Sequence, residues 1–201
     1  QLATLGSYSL YGAKGIDHEN LWPSLKVAGI NSLTNTVRYG SSCINLPALK
    51  TISSHSFADT EQKVFLTHID FSKVVATVLN SYSFSNMVVN SDLNLPRSVT
   101  SVNSYTFYKG SFNNATFHSA MKTVSDYVFG AVNTDPIDTY QLKTITFEGE
   151  TPPTFGVNFV SQNHVTNGLK IYVPDTAVDA YKAVARLAPY LDIILPMSQK
   201  P

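Results

Sequence analysis

The sequence has little charge and no long hydrophobic run, and these shortages exclude several classes of function. Charged residues make up 14% of the 201 positions, with 14 Lys and Arg against 14 Asp and Glu, whereas about a quarter is usual. Because no basic cluster is present, we expect no nucleic-acid partner and no docking on anionic lipid. No apolar stretch approaches the ~20 residues of a membrane helix, so we expect no membrane insertion.

Cysteine is nearly absent, since Cys43 is the one cysteine in the chain. An internal disulfide and a cysteine-rich metal site are therefore excluded. We interpret Cys43 as a core residue, with a reactive thiol as the alternative. Residues 1–15 lack the charged start and continuous apolar core of a signal peptide, although a mature secreted protein would look the same.

A repeated pattern is what the sequence does contain. It consists of an apolar residue, two free positions, a second apolar residue, small polar residues, often a tyrosine, and then an aromatic residue. We name this pattern the second track. Its five clear copies begin at Leu2, Leu49, Ala76, Val99 and Met121, and two weaker copies lie at 30–38 and 155–160. In the 30–38 copy Arg38 takes the place of the buried aromatic residue, and in the copy from Leu49 His55 occupies the tyrosine position.

A short alternating apolar segment precedes each copy except the first, and we name these segments the first track. Their alternation of apolar and polar residues predicts half-buried strands. We call the first apolar residue of each such segment its anchor. Seven anchors, from Leu25 to Ile171, span 146 positions, so successive anchors lie about 24 residues apart on average. This spacing is within the leucine-rich range of 20–29. The anchors are Leu25, Ile44, Ile69, Leu93, Ala115, Ile145 and Ile171.

Such units predict a solenoid, because no unit can bury its apolar side alone and neighbours must stack. We predict a leucine-rich-repeat solenoid with a parallel β-sheet of short strands, a second track of turns or short helices, and a C-terminal helical cap. A β-sandwich of many short strands is the alternative, but it would not show the fixed offset between the two tracks.

The repeats also resemble a known family. The segments LNLPRSVTSVNSYTFYKG at 93–110 and LKTITFEGETPPTFGVNFV at 142–160 are similar to the BspA-like leucine-rich repeats of surface proteins. The segment LKIYVPDTAVDAYKAV at 169–184 is similar to the C-terminal end of that family. The resemblance implies a binding module that is extracellular or attached to the cell surface.

Two domains are predicted, with about seven repeats at 1–168, the first incomplete, and a C-terminal cap at 169–201. Asp175 or Thr176 is expected to cap a helix that Pro189 ends, and a last strand is expected at 191–195. The apolar positions of this helix are Val178, Tyr181, Val184, Ala185 and Ala188. Since the first copy has no strand before it, we expect the chain to be the C-terminal part of a longer protein.

Catalytic and metal-binding patterns are weak. No two of the five histidines lie at the spacing of zinc ligands with a third possible ligand nearby,. Glu148 and Glu150 could serve as acid and base, but a solvated turn before two prolines is the better interpretation. Asp135 and Asp138 leave loose calcium binding open. No nucleophile elbow or phosphate-binding glycine loop occurs, so we expect neither an enzyme nor a bound cofactor.

The outward face of the first-track sheet is the predicted binding site. Residues between and before the buried anchors must point outward, and most of them are neutral hydrogen-bonding groups. Trp22 is a further recognition candidate, with core packing as the alternative. The predicted ligand-binding residues are His68, Asp70, Asp92, Asn94, Asn114, Thr116 and Tyr172.

Two functions from different classes remain open. The first is an adhesin-like module of a bacterial surface or secreted protein, with a protein or carbohydrate ligand that includes host molecules. The second is a structural spacer or assembly piece of a larger cell-surface or virion protein.

Overall fold

Short strands recur along the chain, and most of them pair in parallel with a strand one repeat away. The computed structural model describes residues 2–37, 43–60, 64–130 and 142–201. The helices are α1 (Gln162–Thr166) and α2 (Val178–Lys182), with 3₁₀ helices at Asp175–Ala177, Ala185–Ile193 and Met197–Gln199. The strands are β1 (Thr4–Leu5), β2 (Val27–Ala28), β3 (Cys43–Asn45), β4 (Thr51–Ile52), β5 (Val64–Leu66), β6 (His68–Asp70), β7 (Val78–Leu79), β8 (Met87–Val89), β9 (Leu93–Asn94), β10 (Ser101–Val102), β11 (Asn114–Phe117), β12 (Thr123–Val124), β13 (Thr144–Phe147), β14 (Thr154–Phe155), β15 (Lys170–Val173) and β16 (Ile194–Pro196).

The second track begins with strands rather than with a turn or a helix. Seven two-residue strands form one parallel sheet in the order β1-β2-β4-β7-β10-β12-β14. In each strand the second residue is buried and the first lies toward the surface. Two residues are too few to show the alternation by which a strand is recognised in a sequence, which is why the prediction missed them.

The second unit has a different register from the one predicted. Val27 on β2 pairs with Thr4 on β1 and Thr51 on β4, so it belongs to the second track and not to the first. The copy therefore begins at Leu25, and the fully buried Leu33 takes the aromatic position. The assignment of Arg38 to this position was wrong, because the copy had been started at Ile30; Arg38 itself lies outside the described residues.

The first track forms two separate sheets. One contains five parallel strands in the order β16-β15-β13-β11-β9, and the other pairs β3 with β6. Within the described residues no ladder joins β6 to β9. The single sheet expected from the repeat is thus interrupted once, between two consecutive units.

A third, shorter face was not predicted. β5 pairs in parallel with β8, and a bridge joins Val88 on β8 to Ser111. This face lies immediately before the first track, since β5 ends at Leu66 and β6 begins at His68. Among the described residues only two units carry a full strand here, so the sequence shows no recurring pattern for it.

A row of stacked phenylalanines forms the centre of the core. Phe57, Phe84, Phe107 and Phe129 are all fully buried. Ring centroids of successive residues lie 5.3, 5.9 and 5.5 Å apart with nearly parallel planes. Phe84 and Phe107 are each covered on both faces by rings of the neighbouring units, so the burial of one unit depends on the units beside it.

The C-terminal segment differs from the predicted single helix. α2 ends at Lys182, and the following 3₁₀ helix contains Pro189 rather than ending before it. Its buried residues Leu187, Tyr190 and Ile193 recur every three positions, which is the 3₁₀ period,. The prediction that Ala185 and Ala188 pack inward was wrong, because that assignment assumed the α-helical period; both are exposed.

The two residues expected to cap the helix form hydrogen bonds with other segments of the chain instead. The backbone N–H of Ser198 donates to Asp175 Oδ1 at 3.0 Å, and Thr176 Oγ1 donates to Glu150 Oε2 at 2.6 Å. Neither side chain caps α2 or the 3₁₀ helix directly before it. Two buried phenols complete the attachment, since the Tyr181 hydroxyl donates to the Gly149 carbonyl and the Tyr190 hydroxyl to the Val160 carbonyl.

Substitution of Phe107 tests the aromatic row. Phe107→Ala should lower the free energy of unfolding by about 3–5 kcal/mol, because it removes a fully buried ring from between two others,. Denaturant unfolding monitored by circular dichroism measures this value. Val75→Ala, at a side chain that is 48% exposed, should change it by no more than about 0.5 kcal/mol. A loss below about 1 kcal/mol for Phe107→Ala would contradict this packing.

The stability of the fold should also depend on pH through His164. This side chain is fully buried in α1, and burial lowers its pKa from 6.5 to about 4. The unfolded chain therefore takes up a proton near pH 6.5 that the folded chain resists until about pH 4. Stability should fall as pH decreases through this window, by about 3 kcal/mol in all.

Unfolding of the unmodified chain and of His164→Leu between pH 7 and pH 4 measures that contribution. Burial also lowers the pKa of His18, and this effect is common to both proteins. The His164→Leu profile should be the flatter of the two by about 3 kcal/mol. Two parallel profiles would show that His164 does not titrate in this way.

Candidate functional site

A groove opens on the surface where the first-track strands are interrupted. It lies between β6 and β9 and has a volume of about 560 Å³. Paired strands lie about 4.8 Å apart, and without a ladder the side chains of these two strands border an open space. Four predicted ligand-binding residues line the groove together, namely His68, Asp70, Asp92 and Asn94.

The β6 side of the groove carries an ionised carboxylate. The backbone N–H of Ser72 donates to Asp70 Oδ1 at 2.8 Å. Hydrogen bonds from Ser72, together with the nearby charges of Lys73 and His68, lower the pKa of Asp70 below its ordinary value. His68, on the same strand, is exposed. This side therefore presents one negative charge and one imidazole to a ligand.

A chain of hydrogen bonds holds the β9 side. Thr144 Oγ1 donates to Asn114 Oδ1 at 2.8 Å, and Asn114 Nδ2 donates to Asp92 Oδ1 at 2.9 Å. Asp92 and Asn94 are exposed. Asn114 therefore holds the Asp92 carboxylate in place, and its role as a ligand-binding residue stays a prediction. Thr116 is half-buried and lies beside Asn94 in register.

Tyr172 does not belong to this surface, and its assignment as an exposed ligand-binding residue was wrong. Only 5% of its side chain is exposed. Lys200, which follows β16, donates to Thr146 Oγ1 on β13 at 2.9 Å. Since β15 lies between β16 and β13, the C-terminal residues cross the outward face of the sheet above Tyr172. Sequence reasoning treated every outward position as solvated and did not foresee this cover.

The groove also has an apolar part that sequence reasoning missed. Phe71, Leu95 and Pro96 line it beside the polar residues. They follow directly after the strands, and the Leu-Pro pair that ends a first-track segment was the available signal. A second cavity of about 280 Å³ lies one unit away, between Glu19 and Lys73.

The remaining candidates have structural positions. Trp22 is partly buried and packs against the core, and Cys43 is buried. Glu148 and Glu150 are exposed on either side of Gly149. Asp135 and Asp138 lie outside the described residues. Over the described part of the chain, no three His, Cys, Asp or Glu side chains are placed to hold a metal ion, and no helix is long and apolar enough to cross a membrane.

Comparison with protein families identifies the repeat. The model of the BspA type leucine rich repeat region matches residues 39–150 in six copies, which is more than half of the chain. This match confirms the resemblance and the solenoid fold that it implied. Repeats of this type generally serve in protein interactions, are generally not enzymatic, and are associated with bacterial surface proteins. A search of curated proteins finds no match.

Proposed function

The chain belongs to the BspA-type leucine-rich-repeat family, and from this premise we propose that it is an adhesion module that binds a protein partner through the groove between β6 and β9. The module acts outside the cell or at its surface, and its partners include host proteins. It binds and does not catalyse. The single observation that carries the proposal is the interruption of the sheet where four predicted ligand residues meet.

The composition of the groove suits a protein side chain. Phe71, Leu95 and Pro96 offer apolar contact, while Asp70 and Asp92 offer carboxylate acceptors at the edge. Binding sites usually combine an apolar lining with a few placed polar groups. A partner residue with an apolar stem and a hydrogen-bond donor at its end would satisfy both parts.

The polar groups of the groove are positioned before any partner arrives. Asp70 is held by the Ser72 backbone, and Asp92 is held by Asn114, which Thr144 orients in turn. Groups that need no reordering reduce the entropic cost of association. These contacts support a groove prepared for binding rather than a gap left by loose packing.

The surface available to a partner extends from the groove in one direction. Asn94 and Thr116 continue it across β9 and β11. Beyond β11, Thr146 and Tyr172 are buried, so the partner's contact area ends near β11. The interface therefore comprises the groove and the two strands beside it, and not the whole sheet as predicted from the sequence.

Binding to a panel of extracellular-matrix proteins and glycans tests this function. Surface plasmon resonance should show saturable binding to at least one protein. The triple variant His68→Ala/Asp70→Ala/Asn94→Ala should weaken that binding by more than tenfold, because truncation at the centre of an interface commonly costs about 2 kcal/mol or more.

A matched variant separates the groove from general surface effects. Gln162→Ala/Asp179→Ala/Asp192→Ala removes three exposed polar side chains near the C-terminus and should leave the affinity unchanged. Thermal melts of both variants establish that they are folded. Equal loss in both variants would contradict the groove, and no binding to any protein would favour a spacer or assembly role instead.

A further inference from the structure

A ladder of half-buried aromatic rings runs along the turns that follow the seven-stranded sheet. It consists of His55, Tyr82, Tyr105 and Tyr127, one from each of four consecutive units. Successive ring centroids lie 4.7, 4.7 and 5.1 Å apart, and the planes differ by 12° or less. Tyr108 stands edge-on to Tyr82 and Tyr105. The groove between β6 and β9 has no part in this ladder.

The backbone at these positions does not favour tyrosine. All four residues have positive φ, between 53° and 63°, a region that costs residues with a Cβ atom and that asparagine tolerates best. Outside the ladder, Asn31 and Asn158 occupy the same position in two units, and Tyr8 occupies it in the first unit. The cost of each positive φ is similar in size to the gain from each stacked pair. Stability alone therefore gives little reason for tyrosine here.

The hydroxyl groups of the ladder are available to a ligand. Across the part of the chain that the structure describes, the hydroxyls of Tyr82, Tyr105 and Tyr127 have no protein acceptor. The buried hydroxyls of Tyr181 and Tyr190, in contrast, donate to carbonyls at 2.9 and 2.8 Å. Buried polar groups need such partners, whereas the ladder tyrosines keep their hydroxyls at the surface.

A row of serines runs beside the ladder. Ser54, Ser81 and Ser104 each precede a ladder residue and are half-buried. No carboxylate or ammonium group occurs in these three turns, which read Ser-Ser-His, Asn-Ser-Tyr and Asn-Ser-Tyr. In the fourth turn Asp126 takes the place of the serine, and its carboxylate accepts a hydrogen bond from the Val157 backbone N–H. Burial also lowers the pKa of His55, which keeps its imidazole neutral at neutral pH. We define the hydroxyl strip as the three serines together with Tyr82, Tyr105 and Tyr127.

We propose that the hydroxyl strip binds a neutral, extended polysaccharide that lies along the solenoid axis. The hydroxyl groups of successive units are separated along the solenoid axis by about the strand spacing of 4.8 Å. They therefore match a polymer in which one sugar ring follows the next at a similar distance. One sugar would exchange hydrogen bonds with Ser81 and Tyr82 and the next with Ser104 and Tyr105, while Ser54 and Tyr127 would each contribute one hydroxyl at the two ends of the strip. The contacts are weak singly, and their number along one chain provides the affinity.

A polysaccharide suits the strip better than a protein does. Its hydrogen-bonding groups recur at one fixed interval, as those of the strip do, while the groups on a protein surface rarely recur in this way. The strip residues themselves carry no charge. Two charges of opposite sign border the strip, since Asp126 precedes Tyr127 and accepts from the Val157 backbone N–H, and Lys109 Nζ lies 5.9 Å from the centre of the Tyr108 ring. Neither an acidic nor a basic polymer is therefore favoured along the whole strip. Protein binding at this surface is therefore an outcome that would overturn the proposal.

The variant Tyr82→Phe/Tyr105→Phe/Tyr127→Phe tests the strip without disturbing the fold. It keeps the stacked rings and removes only three hydroxyls. Co-sedimentation with insoluble cellulose, chitin and curdlan measures binding, and a sulfated polysaccharide serves as the charged comparison. The unmodified chain should bind at least one neutral polymer, and the variant should bind it at least tenfold more weakly.

Two controls locate the effect. Tyr11→Phe/Tyr172→Phe removes two hydroxyls outside the strip and should bind like the unmodified chain. The groove variant His68→Ala/Asp70→Ala/Asn94→Ala should also bind the polysaccharide normally. The proposal is overturned if no neutral polymer is bound, if the Phe variant binds as well as the unmodified chain, or if only the groove variant loses binding.

Discussion

The fold depends on the stacking of one repeat on the next. A unit of about 24 residues contributes a few two- to four-residue strands and several buried apolar side chains, all on one side, which is too little for a core of its own. Phe84 is buried because Phe57 and Phe107 cover its two faces. The backbone follows the same rule, since nearly every ladder joins strands of different units.

This constraint explains why the candidate site lies at an exception to the repeat. Between β6 and β9 the stacking of side chains continues, but the ladder does not. The groove thus forms without an insertion or a separate domain, and its polar residues occupy ordinary strand positions. A binding surface on a solenoid can arise from one missing set of hydrogen bonds.

The regular features could be predicted from the sequence, because each recurs in several units. The Phe57 to Phe129 row, the first-track strands from Ile44 onward and the proximity of His68, Asp70, Asp92 and Asn94 follow from the period alone. Features that occur once could not be predicted in this way. Among them are the interruption beside β9 and the cover that the C-terminal residues place over Tyr172.

Short elements caused the other differences. β2 has two residues, so the alternating pair Leu25 and Val27 could be confused with a first-track strand until the register of Val27 with β1 and β4 was known. The segment after α2 contains enough apolar residues for either an α-helix or a 3₁₀ helix. Only its burial at every third residue distinguishes the two,.

Amide hydrogen exchange of the free chain, resolved by peptide mass spectrometry, tests the interrupted stack most directly. Backbone amides in a continuous ladder are protected, and those facing a gap are not. Residues 91–95 should exchange faster than residues 144–147 and 170–173, which lie inside the five-stranded sheet. Equal protection of all three segments would mean that the ladder continues across β6 and β9, and the groove would not exist.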